Sequence, residues 1–218
     1  MLRVALTGGL GSGKTTASAI LKKCGAHIFS ADEIGRSLMQ PGEAVFDHIV
    51  AEFGPRVVNA DGALDRAEIA RMVFANPAAL LQLNLIVHPA VIAEQERQMR
   101  LLEEIEPEAI AIVESALIFE VERDQTNPGW KRRFDKILLI TAPDDVKVAR
   151  YLERMAHTLG RGLSAEESAQ FAADAHSRLA TQIPDDEKAP QCDAVIHNTG
   201  SIEELQQALA EVWKHLRD

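Results

Sequence analysis

Five short stretches, Arg3–Leu6, His27–Phe29, Ile110–Val113, Ile137–Thr141 and Ala194–His197, are mostly apolar and rich in β-branched residues or leucine. Alternating apolar and polar residues mark a strand with one buried face; short, nearly unbroken apolar runs mark strands buried on both faces, as in a parallel sheet. The segments between these runs carry helical patterns. Strand and helix alternation predicts an α/β fold, with a core of five parallel strands flanked by helices.

Several helix starts are written locally. Asp65 with Glu68, Ser164 with Glu167 and Ser201 with Glu204 have the spacing of a capping box, where a side-chain acceptor and a glutamate three residues on satisfy the free N–H groups of a first turn. Asn76–Pro77 places an N-cap and a first-turn proline before a helical stretch reaching about Glu103. The gap from about Ile34 to Glu108 is too long for a loop in a compact domain, so it predicts a helical lobe. A second insertion, about Asp144 to Lys188, is broken by "TLGRGLS" and ends in "QIPDDEKAP", punctuation that predicts a mobile helical lid. The expected organisation is one unit over 1–218, with a core of about 1–33, 109–143 and 191–218, a lobe of about 34–108 and a lid of about 144–190.

Charge narrows the partners. A net charge of −10 disfavours a broad grip on nucleic acid, which needs clustered Lys and Arg, but leaves room for a local basic pocket that binds a small anion. Cys24 and Cys192 stand far apart with no companion at metal-ligand spacing, which reads as two reduced thiols. The start "MLRVALTGG" is broken by glycine too early for a signal peptide, and no apolar run approaches a membrane span of about 20 residues. The expectation is a soluble cytoplasmic protein with no membrane or nucleic-acid partner, a monomer or small homo-oligomer.

The most specific chemistry follows the first strand. Gly8-x-x-x-x-Gly13-Lys14-Thr15 matches the phosphate-binding pattern GxxxxGK[ST] and lies between a buried strand and a helix. Glycines let the backbone bend until successive N–H groups converge on phosphate oxygens at a helix N-terminus. Lys14 would reach the β- and γ-phosphates, and the Thr15 hydroxyl would ligate Mg²⁺. This motif serves kinases, GTPases and ATPases alike; the sequence after the fourth strand, "TAPDD", lacks the NKxD base-reading tetrapeptide of GTPases.

Ligands of a parallel sheet gather at the carboxyl ends of its strands, which makes Asp32, Glu114 and Asp144 or Asp145 the acidic candidates. Asp32 could orient or deprotonate an attacking hydroxyl, or simply complement the helix dipole within the capping box Ser30–Glu33. Glu114 could hold a magnesium-bound water or cap the next helix. His88, before Pro89, could contact a ligand or occupy a turn. Arg150, Arg154, Arg161 and Arg178 fall in the second insertion, Arg150 and Arg154 on one helical face; this suits a lid closing over transferring phosphates and favours a kinase over a motor.

With these residues in hand, the chain resembles the dephospho-CoA kinase family along nearly its whole length. "ALTGGLGSGKTT" is similar to the family's opening (A/G)LTGGIGSGKST; "SAD" at Ser30–Asp32 stands for its DAD, followed by "EIGRSLMQPG"; "HP" is His88–Pro89; "ESALIFE" stands for DVPLLFE. The run "RLATQIPDDEKAPQCDAVIHNTG" resembles the family's RxxxQxPxxxK…(A)DxVIxNxG. The resemblance implies a nucleotide-kinase core, a helical CoA-binding lobe and a lid. It implies ATP-dependent phosphorylation of the ribose 3′-hydroxyl of dephospho-CoA, giving CoA and ADP, with Mg²⁺. Carried over by position, Gly11, Ser12, Gly13, Lys14, Thr15 and Thr16 would bind ATP, with Thr15 at the metal. Asp32 would act on the 3′-hydroxyl, His88, Leu117, Ile118, Phe119 and Glu120 would line the acceptor side, and Arg161 and Arg178 would approach ATP. The chain departs from the family pattern at Ser30, at Glu114 and Ala116, and in a lid about six residues longer between Arg161 and Arg178.

Overall fold

Alternate residues of the central strands point to opposite faces of a sheet, and both sets are apolar. In the computed structural model, which describes residues 1–74 and 76–217, this produces a five-stranded parallel sheet. Its strands are β1 (Leu2–Thr7), β2 (His27–Ser30), β3 (Ile110–Glu114), β4 (Lys136–Thr141) and β5 (Ala194–His197), in the order β2-β3-β1-β4-β5. Each lies within one residue of the run expected at either end. The register sets Ala5 beside Val113 and Ile137, and Ser30 beside Glu114, so the carboxyl ends of the strands form one edge of the sheet.

The two faces are sealed separately. Val4, Leu6, Ile112, Leu138, Ile140 and Ile196 meet Ala17 and Leu21 of α1 (Lys14–Lys23) and Leu205 and Leu209 of α10 (Ile202–Arg217). Ala5, Ala111, Val113 and Ile137 meet Ile92 and Met99 of α5 (Pro77–Ile105), together with α6 (Ile118–Arg123) and Trp130. Burying strand side chains on both faces explains why these runs show no polar alternation.

The predicted lobe consists of α2 (Ala31–Leu38), α3 (Ala44–Phe53), α4 (Arg66–Phe74) and the first half of α5, around Val45, Ile49, Val57, Leu64, Ile69 and Val73. Asp65 accepts from the Glu68 N–H at 3.0 Å, and the Asn76 side chain accepts from Ala78 at 3.0 Å and Ala79 at 3.4 Å, so both local start signals operate. By length and composition α5 could cross a membrane, against the expectation that no segment approaches one. Here Ala79, Leu80, Leu83, Ile86, Val87 and Ala90 pack into the lobe.

The second insertion is an α-helical hairpin of α7 (Asp144–Leu159) and α8 (Ala165–Thr181), followed by the short α9 (Asp185–Lys188). Gly160 ends α7 with φ of 65°, and Ser164 and Glu167 complete a reciprocal capping box on α8. Tyr151 joins the two helices: its hydroxyl donates to Asp174 Oδ2 at 2.5 Å, its ring packs with Phe171, and the guanidinium groups of Arg154 and Arg178 lie over it. Cys24 and Cys192 are free thiols.

Candidate active site

The loop between β1 and α1 closes on itself through backbone conformations that favour glycine. Gly11 and Gly13 have φ of 71° and 99°. A Cβ at Gly11 would run into the backbone carbonyl of Lys147, and one at Gly13 into the Asn198 amide. Asn198, just past β5, donates to the Ser12 carbonyl at 2.8 Å and so pins the loop to the edge strand. Arg150 Nη1 in turn donates to the Asn198 carbonyl at 3.0 Å.

Lys14 opens α1 and folds back over the loop, donating to the carbonyls of Gly8 at 2.8 Å and Gly9 at 3.0 Å. Burial drives its pKa down to about 8; the carboxylates of Glu114 and Asp32 oppose the shift. The next residue, Thr15, donates its hydroxyl to Glu114 Oε1 at 2.9 Å. Glu114 therefore faces the phosphate loop rather than capping α6, whose N-cap is Leu117. Thr15 and Glu114 together offer hard oxygen ligands suited to Mg²⁺, which takes one or two protein oxygens and completes its shell with phosphate and water. No group of three or more His, Cys, Asp or Glu able to hold a metal by themselves occurs among the described residues. The donor set thus fits a magnesium ion that arrives with a nucleotide.

Two cavities meet at this edge of the sheet. One, of about 560 Å³, is lined by the phosphate loop, Glu114, Arg150 and Arg154. The second, of about 270 Å³, is lined by His88 and Val91 of α5, Leu117 and Trp130. Asp32 and Arg36, four residues apart on α2, line both. Ser30 caps this helix by accepting from the Glu33 N–H at 3.3 Å, so Asp32 is free to stand between the cavities.

The acceptor-side residues divide. Leu117 and His88 line the second cavity, and His88 Nδ1 lies 2.9 Å from the Thr126 hydroxyl. Burial pushes the His88 imidazole below its ordinary pKa, although Asp124 pulls the other way. His88–Pro89 is not a turn but sits inside α5: tertiary packing of this 29-residue helix overrides the local preference set by the proline. Ile118, Phe119 and Glu120 do not reach the cavity. The chain turns into α6 directly after Leu117, which carries Ile118 and Phe119 into the core beneath the sheet. Glu120 is 3% exposed, pairs with the fully buried Lys188 at 2.8 Å and accepts from the Ile183 N–H at 2.9 Å.

The arginines of the second insertion also sort differently. Arg161 is an exposed loop residue held by Glu167 at 2.6 Å, because the same glutamate belongs to the α8 capping box. Arg178 pairs with Asp174 at 3.1 Å and lines a groove of the lobe. The guanidinium groups that line the phosphate-loop cavity are Arg36, Arg150 and Arg154. Their signals were the i, i+4 spacing of Arg150 with Arg154 and of Asp32 with Arg36. Behind the loop, Gln182 accepts from the Leu10 N–H at 3.2 Å, and Lys147 joins Asp144 at 3.0 Å to Asp185 at 2.7 Å.

Known proteins place this architecture. A sequence model described as dephospho-CoA kinase matches residues 2–204. A dephospho-CoA kinase of Frankia casuarinae is 37% identical over 99% of this chain and 84% of its own length. A solved Thermus thermophilus protein has a TM-score of 0.74 at 30% identity, over 99% of this chain and 97% of that one. A solved dephospho-CoA kinase from Campylobacter jejuni shares the fold, with a TM-score of 0.66 at 24% identity over 99% of this chain and 96% of that one. A family match that runs from β1 into α10, across both halves of the site, shows that the chain belongs to the dephospho-CoA kinase family.

Proposed function

We propose that this chain is a soluble cytoplasmic enzyme that transfers the γ-phosphoryl group of ATP, bound with Mg²⁺, to the ribose 3′-hydroxyl of dephospho-CoA, giving CoA and ADP. The observation that carries this reading is the pair of cavities joined at Asp32 and Arg36. A transfer between two bound nucleotides needs a donor pocket and an acceptor pocket meeting at one carboxylate.

Backbone N–H groups of Gly11 to Thr16 and the Lys14 ammonium hold the donor phosphates, and Arg150 and Arg154 supply further positive charge as negative charge spreads over the transferring group. Thr15 and Glu114 would hold magnesium, which would supply positive charge to the donor phosphates when bound. Asp32 orients the acceptor hydroxyl and accepts its proton as the new phosphate ester forms. Arg36, one turn along α2, faces both substrates. His88, Leu117 and Trp130 shape the acceptor cavity. Closure of the α7–α8 hairpin excludes water that would otherwise hydrolyse ATP.

The test is a side-by-side comparison of acceptors with MgATP: dephospho-CoA, a nucleoside monophosphate and shikimate, with ADP release and product mass as readouts. Dephospho-CoA should be the preferred acceptor, phosphorylated at the 3′-position. Transfer to another acceptor with none to dephospho-CoA would refute the assignment.

A further inference from the structure

Two of the guanidinium groups that line the phosphate-loop cavity, those of Arg150 and Arg154, come from α7, and neither is held by a carboxylate among the described residues. Arg150 donates to the Asn198 carbonyl at 3.0 Å. Arg154, one turn on, rests instead on an aromatic face: its guanidinium carbon lies 5.2 Å from the centroid of the Tyr151 ring. Arg161 shows the alternative, since Glu167 holds it at 2.6 Å and it does not line the cavity.

The ring is itself fixed from several sides. Tyr151 is 4% exposed and packs with Val148 and Ala175 in the core of the hairpin, against which Leu10 of the phosphate loop also packs. Phe171 meets the ring edge-on, with the centroids 6.5 Å apart. The Tyr151 hydroxyl donates to Asp174 Oδ2 at 2.5 Å, and Arg178 Nε donates to Asp174 Oδ1 at 3.1 Å. Asp174 is therefore taken up by the hydroxyl and by Arg178, and the charge of Arg154 stays uncompensated. An aromatic face attracts a guanidinium through its quadrupole while carrying no net charge. A carboxylate in its place would have to be displaced before a phosphate could use the same donors.

We infer that Tyr151 is a positioning residue for phosphoryl transfer: its ring sets the Arg154 guanidinium at the phosphate-loop cavity and leaves the whole charge available to the transferring group. The inference rests on the transfer proposed above. Tyr151 lines neither the donor nor the acceptor cavity, so it acts through Arg154. Leu10 packs the phosphate loop onto the cluster that holds the ring, which places loop and guanidinium in one packed unit. The two parts of the side chain divide the work: the hydroxyl ties α7 to α8, and the ring serves the reaction.

Steady-state kinetics with MgATP and dephospho-CoA separate these parts in Tyr151→Phe, Tyr151→Leu, Arg154→Ala and the double variant of Tyr151→Leu with Arg154→Ala. Tyr151→Leu should lower kcat about 3–30-fold, the range for losing one cation–π contact, while KM for dephospho-CoA moves by less than about twofold. Tyr151→Phe keeps the ring, so kcat should stay within about twofold of wild type while the melting temperature falls with the bond to Asp174. In the Arg154→Ala background, Tyr151→Leu should cost less than about twofold more. A leucine variant as fast as wild type, a phenylalanine variant as slow as leucine, or an undiminished further loss in the Arg154→Ala background overturns the inference. A rise of both KM values alongside the loss of kcat in Tyr151→Leu also overturns it, because the ring would then be packing alone. If the leucine variant does not fold, Tyr151→Phe decides: retained kcat supports the inference and a leucine-sized loss overturns it. Wild-type protein that fails to phosphorylate dephospho-CoA overturns the functional reading instead, and this is measured first.

Discussion

The donor and acceptor halves of the site are built on opposite plans. In the proposed reaction the donor half is one short loop, Gly8 to Thr16, whose backbone would do the binding and whose conformation is set by its own glycines. The proposed acceptor half gathers Asp32 and Arg36 from α2, His88 from α5, Leu117 from the turn before α6, and Trp130 around one cavity. A backbone cradle tolerates no side chain where a Cβ would strike Lys147 or Asn198. An assembled pocket spreads its binding over many side chains, each replaceable at modest loss. The donor half should therefore fail sharply and the acceptor half by degrees, with Asp32 at the junction as the exception.

The largest effect belongs to that junction. Asp32→Asn should cut kcat by about 10²–10⁴-fold while leaving ATP affinity nearly intact, measured by steady-state turnover and AMP-PNP binding. An unchanged kcat would remove Asp32 from proton transfer and leave it as a first-turn acid on α2. Next comes Lys14→Met, which should lower kcat/KM for ATP by about 10²–10³-fold, comparable to losing one preorganised donor at a developing charge. Because Lys14 also holds the Gly8 and Gly9 carbonyls, dephospho-CoA affinity must be measured beside it; a loss there as large as on the ATP side would break the division into halves.

A third change separates catalysis from scaffolding. Lys188→Met leaves Glu120 charged and unpaired in the core, which should cost about 3–5 kcal/mol in urea unfolding; Glu120→Leu combined with Lys188→Met should recover much of it. If the single variant is as stable as the wild type, the pair is not a structural support of the segment after α8. The smallest effect is a pH profile. Protonated Lys14 binds phosphate, so kcat/KM for ATP should fall as pH rises through about 8, while kcat stays flatter because bound phosphate favours the charged form. For folding the sign is reversed: the native pKa of about 8 lies below the ordinary 10.5, so the unfolded chain binds more protons between these values and Lys14 adds stability as pH rises across that window.

The sequence was most legible where structure is local. The five apolar runs became the five strands, and the pairs at Asp65, Ser164 and Asn76 cap helices as their spacing required, because each signal acts within a few residues. Position by position, the acceptor side was less legible. Leu117 to Glu120 are four consecutive residues, yet only Leu117 reaches the cavity, since α6 turns inward at Ile118 and the core claims the next three. Arg161 and Arg178 sit in suggestive sequence, but Arg161 pairs with Glu167 in an exposed loop and Arg178 lines a groove of the lobe, so neither lines the phosphate-loop cavity.

Taken by itself, the amino-acid sequence determined an α/β sheet, a phosphate loop, two helical insertions and the resemblance to a kinase family. Those follow from side-chain period, glycine conformational freedom and motif spacing, all short-range properties of the chain. Tertiary structure decided which insertion residues face the site. It turned Glu114 toward Thr15, placed Arg150 and Arg154 rather than Arg161 at the phosphate-loop cavity, and set Asp32 with Arg36 between two cavities. The physical reason is that a side chain's direction depends on the helix carrying it and on competing partners nearby, and both are fixed only when distant segments pack.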